Sequence, residues 1–294
     1  MSEPAAIDSG MMGEEGLQSA WVIPAERPVV IDPGPANRAR EVNRAIRDLG
    51  VDRLDAIVLT HIHFDHAGGA AELAALNPGA RIYVHPRVAG LVVDPTRLNE
   101  AVALVWGPAT GELFGFPQAA PEGSVEAIEE GGTIDLGGGR ELVAIETPGH
   151  TRAHLAFLDR HSDAVFGGDA VAIQVEGSDA VRPSTPPSDY DRASMERSME
   201  RIRETGARRL LLPHFGEASG DLDSTVDLAL EALARWHDAF ASLEPGPDAA
   251  GRLVESAEGD LAAPVRGRFE RINPGWLNLE GLELERARRE GGES

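Results

Sequence analysis

The sequence predicts an α/β domain, and three observations carry that reading. Short apolar runs of strand length alternate with stretches whose apolar residues recur at helical spacing. Glycine and proline punctuate the joins between them. Polar, chemistry-bearing residues fall repeatedly just after the apolar runs, at strand ends, where α/β enzymes build their sites. At 294 residues, 42% of them hydrophobic, the chain suffices for one large domain or two small ones.

Taken in order, "SAWVI" at 19–23 and "PVVIDPG" at 28–34 read as two strands, the second ending in a turn at Pro33–Gly34. "ANRAREVNRAIRDLG" then spaces Val42, Ile46 and Leu49 along one helical face and stops at Gly50. "LDAIVLT" at 54–60 is a buried strand, "GGAAELAAL" at 68–76 a helix and "ARIYVH" at 80–85 another strand. Residues 87–124 break the rhythm with Trp106, Phe114, Phe116, four prolines and one helical stretch, "TRLNEAVALVWG". Such an insertion beside a site reads as a lid or pocket wall. Strand-like runs resume with "GGTIDLGG", "RELVAIETPGH", "HLAFLD" and "DAVFGGDA". A helix, "DRASMERSMERIRETG", and a strand, "RRLLLPHFG", follow. From about Asp221 the pattern is helical, clearest in "STVDLALEALARWHDAF". The expected organisation is a catalytic domain over 1–220, with 87–124 as its insertion, and a helical extension over 221–294 packed on the same domain.

Charge narrows the function. Lys+Arg is 27 against 49 Asp+Glu, a formal charge of −22, and every basic residue is arginine. A field of that sign repels phosphate backbones and argues against broad nucleic-acid binding. Without cysteine there are no disulfides and no thiolate ligands. No apolar run reaches the roughly 20 residues that span a bilayer, and the acidic N-terminus lacks the features of a secretory signal. A cytoplasmic protein without membrane contact is the expectation, and a homodimer is left open.

The strand ends supply the chemistry. "THIHFDHAGG" carries His61, His63, Asp65 and His66; "ETPGH" adds His150, "VFGGDA" adds Asp169 and "LLLPHFG" adds His214. Imidazole nitrogen and carboxylate oxygen without sulfur suit zinc and its neighbours. His61 and His63, two apart in extended backbone, point the same way and can share one metal. Asp65 and His66 lie on the turn into the next helix and can reach a second. Seven ligands exceed the four of one tetrahedral zinc and fit two metals roughly 3.5–4 Å apart, one carboxylate bridging.

"HIHFDH", "TPGHTRAH", "GGDA" and "PHFG", in that order between about Ser19 and Gly216, resemble the metallo-β-lactamase-fold superfamily. The resemblance implies a four-layer αββα fold, with His61, His63 and His150 on a first metal, Asp65, His66 and His214 on a second, and Asp169 bridging. The absent cysteine departs from the true β-lactamases, and His63 stands where flavodiiron proteins carry glutamate. The glyoxalase-II-like and lactonase-like hydrolases are the nearer resemblance, although "PHFG" differs from the Gly-His pair typical of glyoxalase II. The expected reaction is hydrolysis of a small carboxylic ester, thioester or lactone by a metal-bridging hydroxide. Two divalent ions, zinc foremost with iron or manganese as alternatives, would serve as cofactors, and Asp65 would orient the nucleophile or move its proton. The rival readings are a persulfide-dioxygenase-like enzyme with one iron and a phosphodiesterase or nuclease of the same fold.

The remaining candidates receive quieter roles. His154 is expected to pack or hydrogen-bond near the site without binding metal, and His85 to be structural or to support a ligand from behind. His161 reads as a hairpin-turn residue and His237 as a helix-face residue. Asp32 should fix a turn or hold a ligand histidine. Tyr190, at a helix start, is read as an aromatic staple before a carbonyl-polarising group. Gly68–Gly69 and Gly167–Gly168 are turn or packing devices, and Trp106, Phe114 and Phe116 are expected to wall an acyl pocket.

Overall fold

The computed structural model describes residues 2–292. Two six-stranded sheets face one another. The first runs, in spatial order, β1 (Ala5–Asp8), β2 (Ser19–Ile23), β3 (Val29–Ile31), β4 (Ala56–Val58), β5 (Arg81–Val84) and β6 (Val125–Ala127). β1 to β3 pair antiparallel and β3 to β6 parallel. The chain then builds β7 (Thr133–Gly137), β8 (Arg140–Glu146), β9 (Leu155–Asp159) and β10 (Ala164–Phe166), a short ribbon of β11 (Ile173–Gln174) and β12 (Val181–Arg182), and finally β13 (Arg209–Leu212) and β14 (Gly216–Glu217). The second sheet is ordered β14-β13-β10-β9-β8-β7, with β10 and β13 parallel.

The strands are apolar on both faces because both faces are covered. Trp21, Ile23, Ile31 and Val58 point inward against Phe157, Phe166, Leu142 and Leu211 of the second sheet. Their alternates Val22, Val30 and Ile57 point outward under α1 (Ala39–Asp48) and α3 (Ala70–Leu76), through Val42, Ile46 and Leu73. On the opposite outer face Leu158, Val165, Leu210 and Leu212 pack beneath α7 (Arg192–Arg203) and α8 (Leu222–Ala241). The resulting layer order is helix, sheet, sheet, helix. Between β4 and α3 along the chain lies the one-turn α2 (Phe64–Ala67), which carries Asp65 and His66.

Residues 87–124 form the crossover between the parallel strands β5 and β6, a connection that needs a dozen residues or more. It contains α4 (Ala89–Val93), α5 (Thr96–Trp106) and α6 (Thr110–Leu113). The C-terminal segment adds α9 (Ala249–Glu258), α10 (Ala263–Ile272) and α11 (Gly275–Gly291); α9 and α11 pack on α8, where Leu253 and Leu282 join the cluster that covers the second sheet, while Phe269 and Ile272 of α10 join a cluster with Met11 and Phe64. β1 has no counterpart in the sequence reading, since four residues with one buried alternate give too weak a pattern; pairing with β2 makes it a strand.

The aromatic crossover corrects one expectation. Phe114 is buried in a cluster with Met11, Leu17, Phe64 and Phe269, so it is a core residue and not a pocket wall. Trp106 is held edge-on between Phe114 and Trp276, at 5.2 and 5.3 Å between ring centroids. Of the three aromatics Phe116 alone is exposed, its ring centroid 6.4 Å from that of Phe64 in an edge-to-face arrangement. Among the described residues no helix is long and apolar enough to cross a membrane.

Candidate metal centre

The four chain segments that carry the seven candidate ligands converge at one edge of the sandwich. His61 and His63 lie just after β4, with His63 extended (φ −60°, ψ 150°) at the mouth of α2. Asp65 and His66 ride the single turn of α2 itself. His150 lies in the loop between β8 and β9, Asp169 in the 3₁₀ turn after β10, and His214 just past β13. The structure therefore brings together all seven residues singled out by the sequence.

The first triad is tight. His61 Nε2 lies 3.0 Å from His63 Nδ1, and His150 Nε2 lies 2.9 Å from His63 Nδ1 and 3.3 Å from His61 Nε2. The positions of the ring protons decide how these contacts can be satisfied. His61 Nδ1 donates to Thr60 Oγ1 (2.9 Å) and His150 Nδ1 donates to the Ser184 carbonyl (3.1 Å), which leaves bare lone pairs at both Nε2 atoms. The two bare Nε2 lone pairs converge on His63 Nδ1, whose single proton can satisfy only one of them, whereas a cation in its place would be shared by all three nitrogens. For metal–nitrogen bonds of ~2.0–2.1 Å, tetrahedral ligands stand ~3.3 Å apart, close to the spacing here.

The second triad repeats the pattern. His66 Nδ1 donates to Asp32 Oδ2 (3.0 Å), His214 Nδ1 donates to the Leu17 carbonyl, and the two Nε2 atoms are 3.2 Å apart. Asp65 Oδ2 completes the group at 3.4 Å from His214 Nε2 and 3.6 Å from His66 Nε2. Asp169 stands between the triads: Oδ1 is 3.6 Å from His66 Nε2, and Oδ2 is 3.6 Å from His150 Nε2. Its Oδ1 is buried without a hydrogen-bond partner. An orphaned carboxylate oxygen set among imidazole nitrogens of both triads is the arrangement a pair of divalent cations would satisfy. His61, His66, His150, Asp169 and His214 are buried, while the Asp65 side chain keeps 20% of its surface, so the site opens on the Asp65 side.

Asp32 anchors both halves. Its Oδ1 accepts the Thr60 N–H (2.8 Å) and its Oδ2 accepts the Thr60 hydroxyl (2.7 Å) as well as His66 Nδ1. Because Thr60 Oγ1 in turn accepts His61 Nδ1, one buried carboxylate orients a histidine of each triad. Asp32 thus performs one of the two jobs expected of it, holding a ligand histidine; its backbone is left-handed (φ 47°), but residues 32–35 run as an irregular link and not as the turn expected at Pro33–Gly34.

The electrostatics suit cation binding. Burial first, and neighbouring imidazoles second, push His61 and His150 well below the usual imidazole range, so both are neutral and ligand-competent. Burial also acts to lower His66, but Asp169, Asp65 and Asp32 outweigh it and push the ring up to about 10. The centre therefore attracts positive charge to His66 Nε2, whether a proton or a metal ion. Burial alone would raise Asp65; His66 and His214 overcome it and hold the carboxyl well below the carboxylate range.

The other histidines lie where their quiet roles require, with one exception. His154 Nδ1 donates to Thr147 Oγ1 (2.8 Å) and its Nε2 accepts the Asp169 N–H (3.1 Å), so no ring nitrogen is left for a metal. His85 Nδ1 accepts the Arg87 N–H (3.1 Å). His161 lies in the β9–β10 hairpin, its N–H bonded to Asp159 (3.1 Å). His237 was expected to be an idle face of α8; instead its Nε2 meets the hydroxyl of buried Tyr190 at 2.7 Å. Tyr190 precedes the Asp191 N-cap of α7 and shares a cluster with Met195, as a hydrophobic staple does. Its hydroxyl is thereby engaged with α8, and no carbonyl-polarising role follows from it.

The family model described as the metallo-beta-lactamase superfamily matches residues 13–214. A metallo-beta-lactamase fold-containing protein of Sulfurisphaera tokodaii is 31% identical over 187 residues, 62% of this chain and 67% of that one. The crystal structure of an archaeal superfamily member from Sulfolobus tokodaii matches at TM-score 0.70 and 25% identity, over 96% of this chain and 99% of that chain. A hydroxyacylglutathione hydrolase of Cupriavidus taiwanensis is 34% identical over 212 residues, 70% of this chain and 66% of that one. A further solved structure, in a di-iron-bound form, matches at TM-score 0.54 and 25% identity over 79% of this chain and 97% of that chain. The chain spans about two fifths to two thirds of the length of the curated relatives it matches. Layer order, the succession of ligand-bearing strand ends and a family match over more than half the sequence agree: the chain belongs to the metallo-β-lactamase superfamily.

Proposed function

We propose that the protein is a metal-dependent hydrolase of a small carboxylic ester, thioester or lactone, with two zinc ions per chain. The observation that carries the reading is Asp169, whose two oxygens face one histidine of each triad and whose Oδ1 has no other partner. Bound divalent ions supply a nucleophile at neutral pH, by lowering the pKa of water to ~7, and polarise the substrate carbonyl. The chain's own residues do the rest. His61, His63 and His150 hold one ion and Asp65, His66 and His214 the other, with Asp169 between them. Asp32 and Thr60 fix the ring orientations, so little reorganisation is left for the reaction itself.

Asp65 is the one carboxylate of the set with solvent access, so it is positioned to orient the attacking water through a carboxylate oxygen. Its depressed pKa makes it a weak base, suited to passing a proton on to the leaving group more than to storing it. The hydroxyacylglutathione hydrolase likeness supports a thioester among the candidate substrates. The acidic surface supports a small substrate over a polyanion, which would meet repulsion over a Debye length of ~10 Å at 0.1 M salt. Iron is the alternative metal, favoured by the di-iron form of one solved relative.

The test is a panel of thioesters, lactones, simple esters and structured RNA, run on one zinc-loaded preparation at low and high salt. Acyl turnover with little RNA cleavage is expected. Efficient RNA cleavage without acyl turnover would replace the reading with a nuclease.

A further inference from the structure

His154 is not a ligand, yet it touches three of the segments that carry ligands. Its ring stacks on His61 (centroids 5.1 Å apart, planes 27° apart) and meets His150 edge-on at 6.0 Å. Its carbonyl accepts the Thr147 N–H (3.0 Å), and the next residue, Leu155, donates its N–H to the Thr60 carbonyl (2.8 Å). The close approach to the third segment depends on Gly168, which has a φ of +51° and whose absent Cβ would lie 2.5 Å from His154 Nε2. Through that gap the Asp169 N–H reaches His154 Nε2, at 3.1 Å. Since an N–H donates there, Nε2 is the acceptor, and the ring proton sits on Nδ1, donated to Thr147 Oγ1. The Asp169 carboxylate has no comparable anchor: Oδ1 is orphaned and Oδ2 stands 3.6 Å from the His150 ring.

We propose that His154 is a positioning residue for the bridging carboxylate, its Nε2 lone pair holding the Asp169 peptide so that both carboxylate oxygens face their triads. The inference rests on the reading of Asp169 as the shared ligand but not on the reaction catalysed. It also accounts for the glycine that precedes Asp169, because any side chain at 168 would push the His154 ring away from the Asp169 N–H.

Two isosteric halves of histidine separate this role from simple packing. Glutamine can set an amide oxygen where Nε2 lies, so His154→Gln keeps the acceptor for Asp169 and gives up the Thr147 bond. Asparagine reaches only to the Nδ1 position, so His154→Asn keeps a Thr147 partner and gives up Asp169. The readout is zinc retention by the loaded full chain in competition with a chelator, beside far-UV circular dichroism as a check of folding. His154→Asn should hold zinc ~10–100-fold less tightly, the usual cost of losing a group that orients a metal ligand, while His154→Gln stays within ~3-fold of the parent. Wild-type retention in His154→Asn would overturn the proposal, and so would a folded His154→Gln that loses as much as His154→Asn. If His154→Asn does not fold, His154→Gln decides alone: retention supports the role and loss ends it. A preparation that binds two zinc ions but hydrolyses no acyl substrate would sink the hydrolase reading and leave this one standing.

Discussion

Two of the polar clusters buried in this protein are finished in opposite ways. Around Arg182 every charge finds a partner. Its Nε and Nη2 clasp Glu258 bidentately, at 2.8 and 2.5 Å, and its Nη1 bonds Glu270 (2.7 Å) and the Asn273 carbonyl (2.8 Å). Trp236 Nε1 adds a bond to Glu258 (3.2 Å), and the rings of Trp236 and Phe269 lie 5.3 and 4.9 Å from the guanidinium carbon. The histidine cluster is buried almost as deeply, but its inner face crowds imidazole nitrogens 3.0 and 3.2 Å from one another and leaves a carboxylate oxygen without a hydrogen-bond partner. The closed cluster ties β12 to α8, α9 and α10, and it has nothing left to offer a ligand. Unfinished hydrogen bonding, more than the presence of buried charge, distinguishes the binding site from the structural one.

The sharpest way to break the comparison is to remove an inner group of the open cluster. Asp169→Ala and His63→Ala should each reduce hydrolysis to background while the protein stays folded, because both residues lie in loops past strand ends. Full turnover in either variant at full metal content would end the dinuclear account. Next in size is Asp65→Asn, which keeps the shape and a coordinating oxygen but loses the charge. It should lower kcat ~10²–10⁴-fold with much less change in substrate affinity. If kcat stays within a factor of ~3, Asp65 is at most a ligand.

The closed cluster should fail in stability instead. Glu258→Gln leaves Arg182 buried with half its clasp, and breaking a buried pair in this way costs about 3–5 kcal/mol, measurable by urea denaturation. Replacing Arg182 and Glu258 together by apolar residues of similar volume should recover much of that loss. Were the double replacement as damaging as the single one, the clasp would hold more than its own charges.

The smallest effect concerns a second closed pair, Arg140–Asp159, buried on β8 and β9. Burial acts to raise the Asp159 carboxyl, but hydrogen bonds from Arg140 and Ser162 outweigh it and hold the pKa below its ordinary value. A carboxylate with a depressed folded pKa stabilises the fold fully above its unfolded value of ~3.9 and loses that contribution as pH falls through the folded one. Asp159→Asn should therefore flatten the acid limb of the stability curve below about pH 4 relative to the parent. An unchanged slope would mean that the pair contributes nothing to acid sensitivity.

The open cluster was legible in the sequence and the closed one was not, for a physical reason. Metal ligands are confined to strand ends and to short spacings fixed by backbone geometry, such as the two-residue step from His61 to His63. Asp32 could be read too, because it ends a strand beside the ligand motif. Arg182 shares no spacing with Glu258 or Glu270, which lie 76 and 88 residues further along the chain. The sheet core was similarly readable as apolar runs, whereas Phe114 and Trp106 took their places from Phe269 and Trp276 on the C-terminal helices. Tyr190 was placed correctly at a helix start, but its partner His237 lies 47 residues away on α8 and left no local mark.

The central claim is that the open cluster is completed by two metal ions shared through Asp169. Its most direct test is the zinc content of the purified full chain after equilibration with excess zinc and removal of the unbound ion, measured by inductively coupled plasma mass spectrometry beside Asp169→Ala. Two ions per parent chain are expected, with fewer than two retained by the variant. One ion per parent chain, or two held equally well without Asp169, would contradict the account.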